Sequence, residues 1–119
     1  MDISGAIPID TAADFDAWLT ANGASNREVV VAIYKKSSGR QTVTLTELQE
    51  VALCHGWVDN LGQRIDDDRW ALRFTPRRPG SNWSAVNREM AKRLLAVDRV
   101  LPAGRALLPD DLRSDEPAS

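Results

Sequence analysis

The segment between Trp57 and Thr75, which reads WVDNLGQRIDDDRWALRFT, is the most informative about the fold. In its second run, 69–75, large apolar residues alternate with basic or small ones, as on a strand with one buried face. Three aspartates separate this run from the strand-like run 57–65. The two runs therefore predict a β-hairpin with a charged turn.

Three further elements are predicted upstream of the hairpin. Thr11 and Thr44 are each followed, three residues later, by an acid that can complete a capping box, which predicts helices over 12–22 and 45–55. Residues 28–35 include an unbroken apolar run. Such a run indicates a central strand that is covered on both faces.

Downstream of the hairpin, prolines and a glycine make 75–80 a loop, and Ser81 is the predicted N-cap of the next helix. Pro102 is expected to begin a last short helix running to Leu108. The helix that Ser81 is predicted to cap has an apolar stripe, which consists of Val86, Met90, Leu94 and Val97.

These elements predict one small α+β domain over residues 1–108 of the 119. We expect a mixed or antiparallel sheet of about three to five strands, packed with about three to four helices. Residues 109–119 are rich in acids and hold little to bury, so we expect a flexible acidic C-terminal tail.

Composition restricts the class of protein. The chain is 43% hydrophobic and 27% charged, as in a folded globular domain. Its longest apolar run is far shorter than the roughly 20 residues of a membrane span, and no basic residue precedes Arg27, so we expect no membrane segment and no signal peptide.

Cys54 is the single cysteine of the chain, which favours a cytoplasmic location. We expect no metal and no cofactor, because the aspartates at 66–68 lack the spacing of a calcium loop.

The segment from Arg73 to Arg93 carries six basic residues and one acid in a protein of formal net charge −2. Arginine side chains match the geometry of phosphate and carboxylate, and a helix N-terminus offers unpaired N–H groups. We therefore predict a small-anion or nucleotide site, with Trp83 as a stacking surface for a ring. The predicted ligand-binding residues are Arg73, Arg77, Arg78, Ser81, Asn82, Trp83 and Arg88.

A structural interpretation stands beside the functional one. The basic helix face formed by Arg88, Lys92 and Arg93 is either part of the site or a solvated surface. The loop arginines could instead hold helix ends or the aspartate turn, and Trp83 could belong to the core. The sequence leaves these alternatives open.

His55 and Asp59 are the candidates for catalysis. A histidine and a carboxylate this close in sequence could form an acid–base pair. In a regular strand, Asp59 would share a face with apolar residues, so Arg73 or Arg77 is its expected partner in a purely structural role.

Several longer motifs carry a family resemblance. The segments Leu53–Asp59 and Arg73–Arg88, together with the shorter patterns at 15–19 and 34–39, resemble the YdeI/OmpD-associated family, also called bacteriocin-protection proteins. The resemblance covers roughly residues 10–108. It implies a small bacterial α+β domain that is associated with stress or antimicrobial resistance.

Three functions follow from these observations. The first is a binding domain for a phosphorylated or carboxylated small molecule, and the second is an enzyme that acts on such a ligand through Asp59 and His55. The third is an RNA- or protein-interaction module. A sequence pI near 5.3 argues against broad DNA binding but leaves a local RNA contact open.

Overall fold

The computed structural model describes residues 1–113. A four-stranded mixed sheet forms its framework, in the order β1-β2-β4-β3. Strand β1 runs parallel to β2, whereas β4 is antiparallel to both of its neighbours. The strands are β1 (Ile7–Pro8), β2 (Val29–Tyr34), β3 (Trp57–Arg64) and β4 (Arg69–Pro76).

Five α-helices accompany the sheet in the described part of the chain, one more than the sequence predicts. They are α1 (Ala12–Asn22), α2 (Leu45–Cys54), α3 (Ala85–Ala96), α4 (Pro102–Arg105) and α5 (Asp110–Arg113). One 3-10 turn, Lys36–Ser38, follows β2. The fold is the predicted small α+β domain.

The hairpin of β3 and β4 is confirmed. Val58 pairs with Thr75 and Arg64 with Trp70 across the two strands. In the turn, the Asp66 carboxylate accepts hydrogen bonds from the backbone N–H groups of residues 68 and 69, at 2.9 and 2.8 Å. The charged turn is thus held by its own first aspartate.

Strand β2 is the predicted central strand. It lies between β1 and β4, and every residue from Val29 to Ile33 is buried. Its odd-numbered residues join the main core with Phe15, Leu48 and Phe74. A second core cluster lies between α2, α3 and the C-terminal segment, around Leu53, Met90, Ala91, Leu94, Leu108 and Leu112.

The predicted caps of the first two long helices are also confirmed. The Thr11 hydroxyl accepts from the backbone of Asp14 at 3.0 Å. Thr44 and Glu47 complete a reciprocal capping box. Helix α1 begins and ends as predicted, and α2 ends one residue earlier than predicted, with His55 as its C-cap.

The predicted start of α3 is wrong. The N-cap is Ser84, whose hydroxyl accepts from Asn87 N–H at 3.1 Å, and not Ser81. Trp83 explains the shift, because its ring lies against the Arg77 guanidinium and the second core cluster, so the chain is still extended there. An anion at the predicted helix start would therefore not meet a helix N-terminus at Ser81.

The predicted apolar stripe of α3 is only half right. Met90 and Leu94 are buried, but Val86 and Val97 are 72% and 62% exposed. The fully buried Ala91 shows that the inward face is centred between positions 90 and 91. The two valines lie at the margin of that face.

The predicted tail begins too early. Pro102 does begin a helix, which ends at Arg105 rather than at Leu108. Residues 110–113 then form α5, and its Leu112 is only 2% exposed within the second core cluster. The remainder of the predicted tail, 114–119, lies outside the described residues.

A β-bulge at Asn60 overturns the predicted alternation of β3. Asp59 pairs with Phe74 and Leu61 with Arg73, so Asn60 is the extra residue. Leu61 is consequently 52% exposed and does not share a face with Asp59. A regular alternation cannot anticipate this change of face.

Candidate functional site

A cavity of about 530 Å³ lies where β4 leaves the sheet. Among residues 1–113, four of its lining residues are arginines and none is acidic. We call it the arginine cavity. It is lined by Arg27, Asn60, Arg73, Thr75, Pro76, Arg77, Arg78 and Pro79.

Arg73 reaches the cavity because of its place in β4. Its neighbours Leu72 and Phe74 face the main core, so Arg73 points to the opposite face of the sheet. Its Nε and Nη2 donate to one carboxylate oxygen of Glu28, at 3.2 and 2.8 Å, and its Nη1 donates to Asn60 Oδ1 at 2.9 Å. The guanidinium is therefore held in one orientation, with part of its charge already balanced.

The bulge residue Asn60 connects two lining side chains. Besides accepting from Arg73, its amide nitrogen donates to Thr75 Oγ1 at 2.7 Å. Both of its polar groups are thus used within the protein. The Thr75 hydroxyl accepts this bond and keeps its own hydrogen for another acceptor.

Arg77 is a partly buried cation of the cavity. Its Cζ lies 3.9 Å from the centroid of the Trp83 ring, a cation–π stack. Its backbone N–H donates to Gly56 O at 2.8 Å, which fixes the loop to the end of α2. Desolvation lowers the pKa of Arg77, and the nearby Asp59 carboxylate opposes that shift.

Two buried polar side-chain atoms have no hydrogen-bond partner within residues 1–113, and both lie in the segment 77–81. They are Arg77 Nε and Ser81 Oγ. Buried polar atoms are almost always paired, because an unpaired one loses its hydration without compensation. Each of these two atoms therefore needs a partner from outside residues 1–113, such as an ordered water, an ion or a ligand.

Arg27 and Arg78 supply exposed charge. In the part of the chain that the structure describes, neither side chain makes a hydrogen bond or an ion pair. Arg27 belongs to the loop before β2, and Arg78 is followed by Pro79. Their guanidinium groups are available to a ligand in the cavity.

The predicted ligand-binding residues are divided by the structure. Arg73, Arg77 and Arg78 line the arginine cavity, whereas Ser81 and Trp83 line an adjoining cavity of about 310 Å³ that shares Pro79. Asn82 is exposed and lines neither cavity. Trp83 has one ring face under Arg77, so it does not present that face to a ligand.

Arg88 belongs to a different environment. It forms a two-pronged ion pair with Asp111 of α5, at 2.5 and 3.3 Å. This partner lowers the pKa of the Asp111 carboxyl. The other basic residues of α3 are also paired with acids, Lys92 with Glu89 at 3.4 Å and Arg93 with Glu50 at 3.1 Å.

His55 and Asp59 do not form the predicted acid–base pair with each other. His55 Nε2 lies 2.6 Å from Asp16 Oδ1 of α1, while Asp59 accepts from the Gln49 amide at 3.3 Å and lies near Arg77. Burial raises the pKa of the neighbouring Cys54 thiol, which keeps it protonated. The His55–Asp16 contact joins α2 to α1 across 39 positions of sequence.

Four polar or charged residues of this region were not among the predicted ones: Arg27, Asn60 and Thr75 in the cavity, and Asp16 beside His55. Thr75 shares the β4 face with Arg73, so strand alternation could have found it. Arg27 and Asp16 come close through tertiary packing, and the bulge at Asn60 gives no local signal. Sequence spacing alone could not identify these three.

The described residues contain no group of His, Cys, Asp and Glu side chains that could hold a metal ion. They also contain no helix that is long and apolar enough to cross a membrane.

Together, these features define a small α+β domain with a cavity of arginines beside its sheet. The chain matches the family model described as "Domain of unknown function (DUF8412)" over residues 7–107, and it belongs to this family. No match was found among curated proteins or among solved structures.

Proposed function

We propose that the protein binds a small anionic molecule, phosphorylated or carboxylated, in the arginine cavity. The observation that carries this proposal is the lining itself, in which four arginines meet without a carboxylate among residues 1–113. In the same residues, a direct ion pair balances one of the four arginines, Arg73, which pairs with Glu28. Concentrated positive charge is unfavourable in a protein unless an anion offsets it.

The cavity supplies the contacts that oxyanions require. Each guanidinium offers several N–H donors in a planar fork, and hydrogen bonds to charged groups contribute about 1.5–3 kcal/mol each. Two such bonds, less the cost of association, would bind an isolated phosphate near the millimolar range. A larger ligand that carries such a group could bind more tightly.

We further propose a cytoplasmic location, which agrees with the single buried Cys54. The resemblance to the YdeI/OmpD-associated family, with its link to stress and antimicrobial resistance, stays a prediction. An enzymatic role would need a catalytic group other than a His55–Asp59 pair.

Isothermal titration calorimetry with inorganic phosphate and ribose 5-phosphate tests the proposal. The site variant is Arg27→Ala/Arg78→Ala, because both side chains are exposed and unpaired within residues 1–113, and their removal should leave the fold intact. The matched control is Arg64→Ala/Arg93→Ala, which removes the same charge outside the cavity.

We expect the site variant to lose about tenfold or more in affinity for ribose 5-phosphate and the control to lose less than about threefold. Equal losses in the two variants would show that only the overall charge matters. No heat of binding with either phosphate compound, or with a dicarboxylate such as malate, would reject the proposal.

A further inference from the structure

The charge of the arginine cavity indicates the charge of its ligand. The lining contributes four positive charges. Glu28 balances one of these charges through its ion pair with Arg73 at 2.8 Å. Arg27 and Arg78 make no ion pair within residues 1–113, so at least two positive charges remain for a ligand. A dianion would neutralise them, whereas a monoanion would leave one unbalanced.

The volume indicates that the charged group is part of a larger molecule. The cavity measures about 530 Å³, within the range of roughly 300–1,000 Å³ that holds a small organic ligand. A bare phosphate or carboxylate would fill only a small part of this space. The ligand therefore has a body beside its charged group.

The lining also indicates the chemistry of that body. Asn60 uses both its amide groups on Arg73 and Thr75. The Thr75 hydroxyl hydrogen and the N–H groups of Arg27 and Arg78 therefore have no acceptor among the described lining side chains. Donors of this kind are matched by acceptor oxygens. An oxygen-rich body satisfies them better than a hydrocarbon.

A nucleobase is disfavoured by the position of Trp83. Base recognition commonly uses an aromatic ring as a stacking platform. The arginine cavity has no aromatic side chain among its lining residues within 1–113. Trp83, the nearest candidate along the loop, stacks on Arg77 at 3.9 Å and packs against the second core cluster.

We infer that the arginine cavity selects a dianionic, oxygen-rich, non-aromatic small molecule, such as a sugar phosphomonoester, and gains nothing from an attached base. This inference rests on the proposed anion-binding function and narrows it. A dicarboxylate such as malate shares the dianionic, oxygen-rich chemistry. A nucleotide shares the phosphomonoester but adds an aromatic body.

The experiment compares four probes by isothermal titration calorimetry at one pH and salt concentration: ribose 5-phosphate, its methyl ester, AMP and malate. AMP contains the same ribose 5-phosphate unit with adenine added, so the pair isolates the contribution of the base. The methyl ester of ribose 5-phosphate, which carries one negative charge fewer, isolates the second charge. Each titration is repeated with Arg27→Ala/Arg78→Ala.

We expect AMP to bind no more than about twofold tighter than ribose 5-phosphate, since no aromatic side chain of residues 1–113 lines the arginine cavity. The methyl ester should bind at least about fivefold more weakly than its parent. The ratio of malate to ribose 5-phosphate affinity then decides between the two dianions, and either result agrees with the inference.

The two ways of failing are distinct. If AMP binds more than about tenfold tighter than ribose 5-phosphate, or the methyl ester binds as well as its parent, the inference is wrong while anion binding stands. If none of the probes binds, or binding is the same in the double variant, the proposed function itself fails.

Discussion

Arg77 contributes both to the packing of the domain and to the positive charge of the arginine cavity. Its guanidinium contacts the Trp83 ring at 3.9 Å, its Nε is buried without a partner in the described chain, and Asp59 partly offsets its charge. A cation held this way has lost water and gained little hydrogen bonding. It is therefore prepared to interact strongly with an anion.

The stack of Arg77 on Trp83 should be measurable as a coupling energy. A double-mutant cycle with Arg77→Met and Trp83→Leu should give a coupling of about 0.5–2 kcal/mol in the free energy of unfolding, because the ring attracts a partly desolvated cation. Urea unfolding of the four proteins measures it. If the two changes are additive, the contact contributes no specific stabilisation.

Asn60 should affect binding more than stability. Asn60→Ala removes an acceptor from Arg73 and the donor to Thr75, both near the surface, so we expect a loss of about 1 kcal/mol or less in unfolding free energy. Affinity for ribose 5-phosphate should fall severalfold, because Arg73 is held less firmly. Gln63→Ala, an exposed change on the same strand, is the control and should leave both quantities unchanged.

Among the helices, the close approach of α4 to the end of α2 supports the loop that carries the site. Gly104 of α4 lies very close to the backbone at the end of α2. A methyl group added to Gly104 would lie 2.4 Å from the carbonyl oxygen of Cys54 and 2.6 Å from the carbonyl oxygen of Leu53. Leu101 N–H, just before α4, donates to the same Cys54 oxygen at 3.0 Å. Backbone thus meets backbone, and the contact leaves no room for a side chain.

Gly104→Ala should therefore be strongly destabilising. We expect a loss of about 1–3 kcal/mol or more in unfolding free energy, since a backbone atom cannot move aside as a side chain can. Gly5→Ala is the matched control, because no atom lies within 4 Å of the added methyl group. Thermal unfolding of both variants checks this, and equal melting temperatures would contradict the close packing of α4.

Helix α5 should contribute stability that depends on pH. Its Asp111 has a pKa below the ordinary value of 3.8, chiefly because Arg88 hydrogen-bonds to its charged form. A carboxyl group whose pKa is lower in the folded than in the unfolded state stabilises the fold at pH values above its unfolded-state pKa. This contribution disappears as the pH falls through the folded-state pKa. Asp111→Asn should accordingly lose less stability than the wild type between about pH 5 and pH 2. Melting temperatures across that range test it, and parallel curves would contradict the ion pair.

The elements also show what the sequence could and could not predict. The capping boxes at Thr11 and Thr44 and the alternation of β4 are local signals, and they located their elements well. The start of α3 depends on Trp83. Its ring packs against Arg77 and the second core cluster, so the chain is still extended at Trp83 and the N-cap is Ser84 rather than Ser81. The bulge at Asn60 and the meeting of His55 with Asp16 depend on tertiary packing, for which spacing gives no sign.

Over the whole molecule, a chain of net charge −2 concentrates cations on one surface. The basic residues of α3, by contrast, are each paired with an acid: Arg88 with Asp111, Lys92 with Glu89 and Arg93 with Glu50. The unpaired positive charge of the segment 73–93 therefore lies at the arginine cavity and does not extend along α3. This distribution fits a small ligand better than an extended polyanion.

Salt dependence should reflect that difference. Binding of ribose 5-phosphate should weaken only gently with salt, with a slope of log affinity against log salt of about −1 to −2. An RNA-binding surface would make several phosphate contacts and give a much steeper slope. Titrations of ribose 5-phosphate and of a single-stranded RNA at several salt concentrations make the comparison, and tight, steeply salt-dependent RNA binding would favour the interaction module.

The position of the anion site in the arginine cavity can be measured by titrating the wild-type protein with ribose 5-phosphate and following the amide chemical shifts. We expect saturable shifts that concentrate at Arg27, Asn60 and residues 73–79, and that are lost in Arg27→Ala/Arg78→Ala. Saturable shifts confined to another surface, such as the surroundings of His55, or no saturable shifts at all, would contradict this assignment.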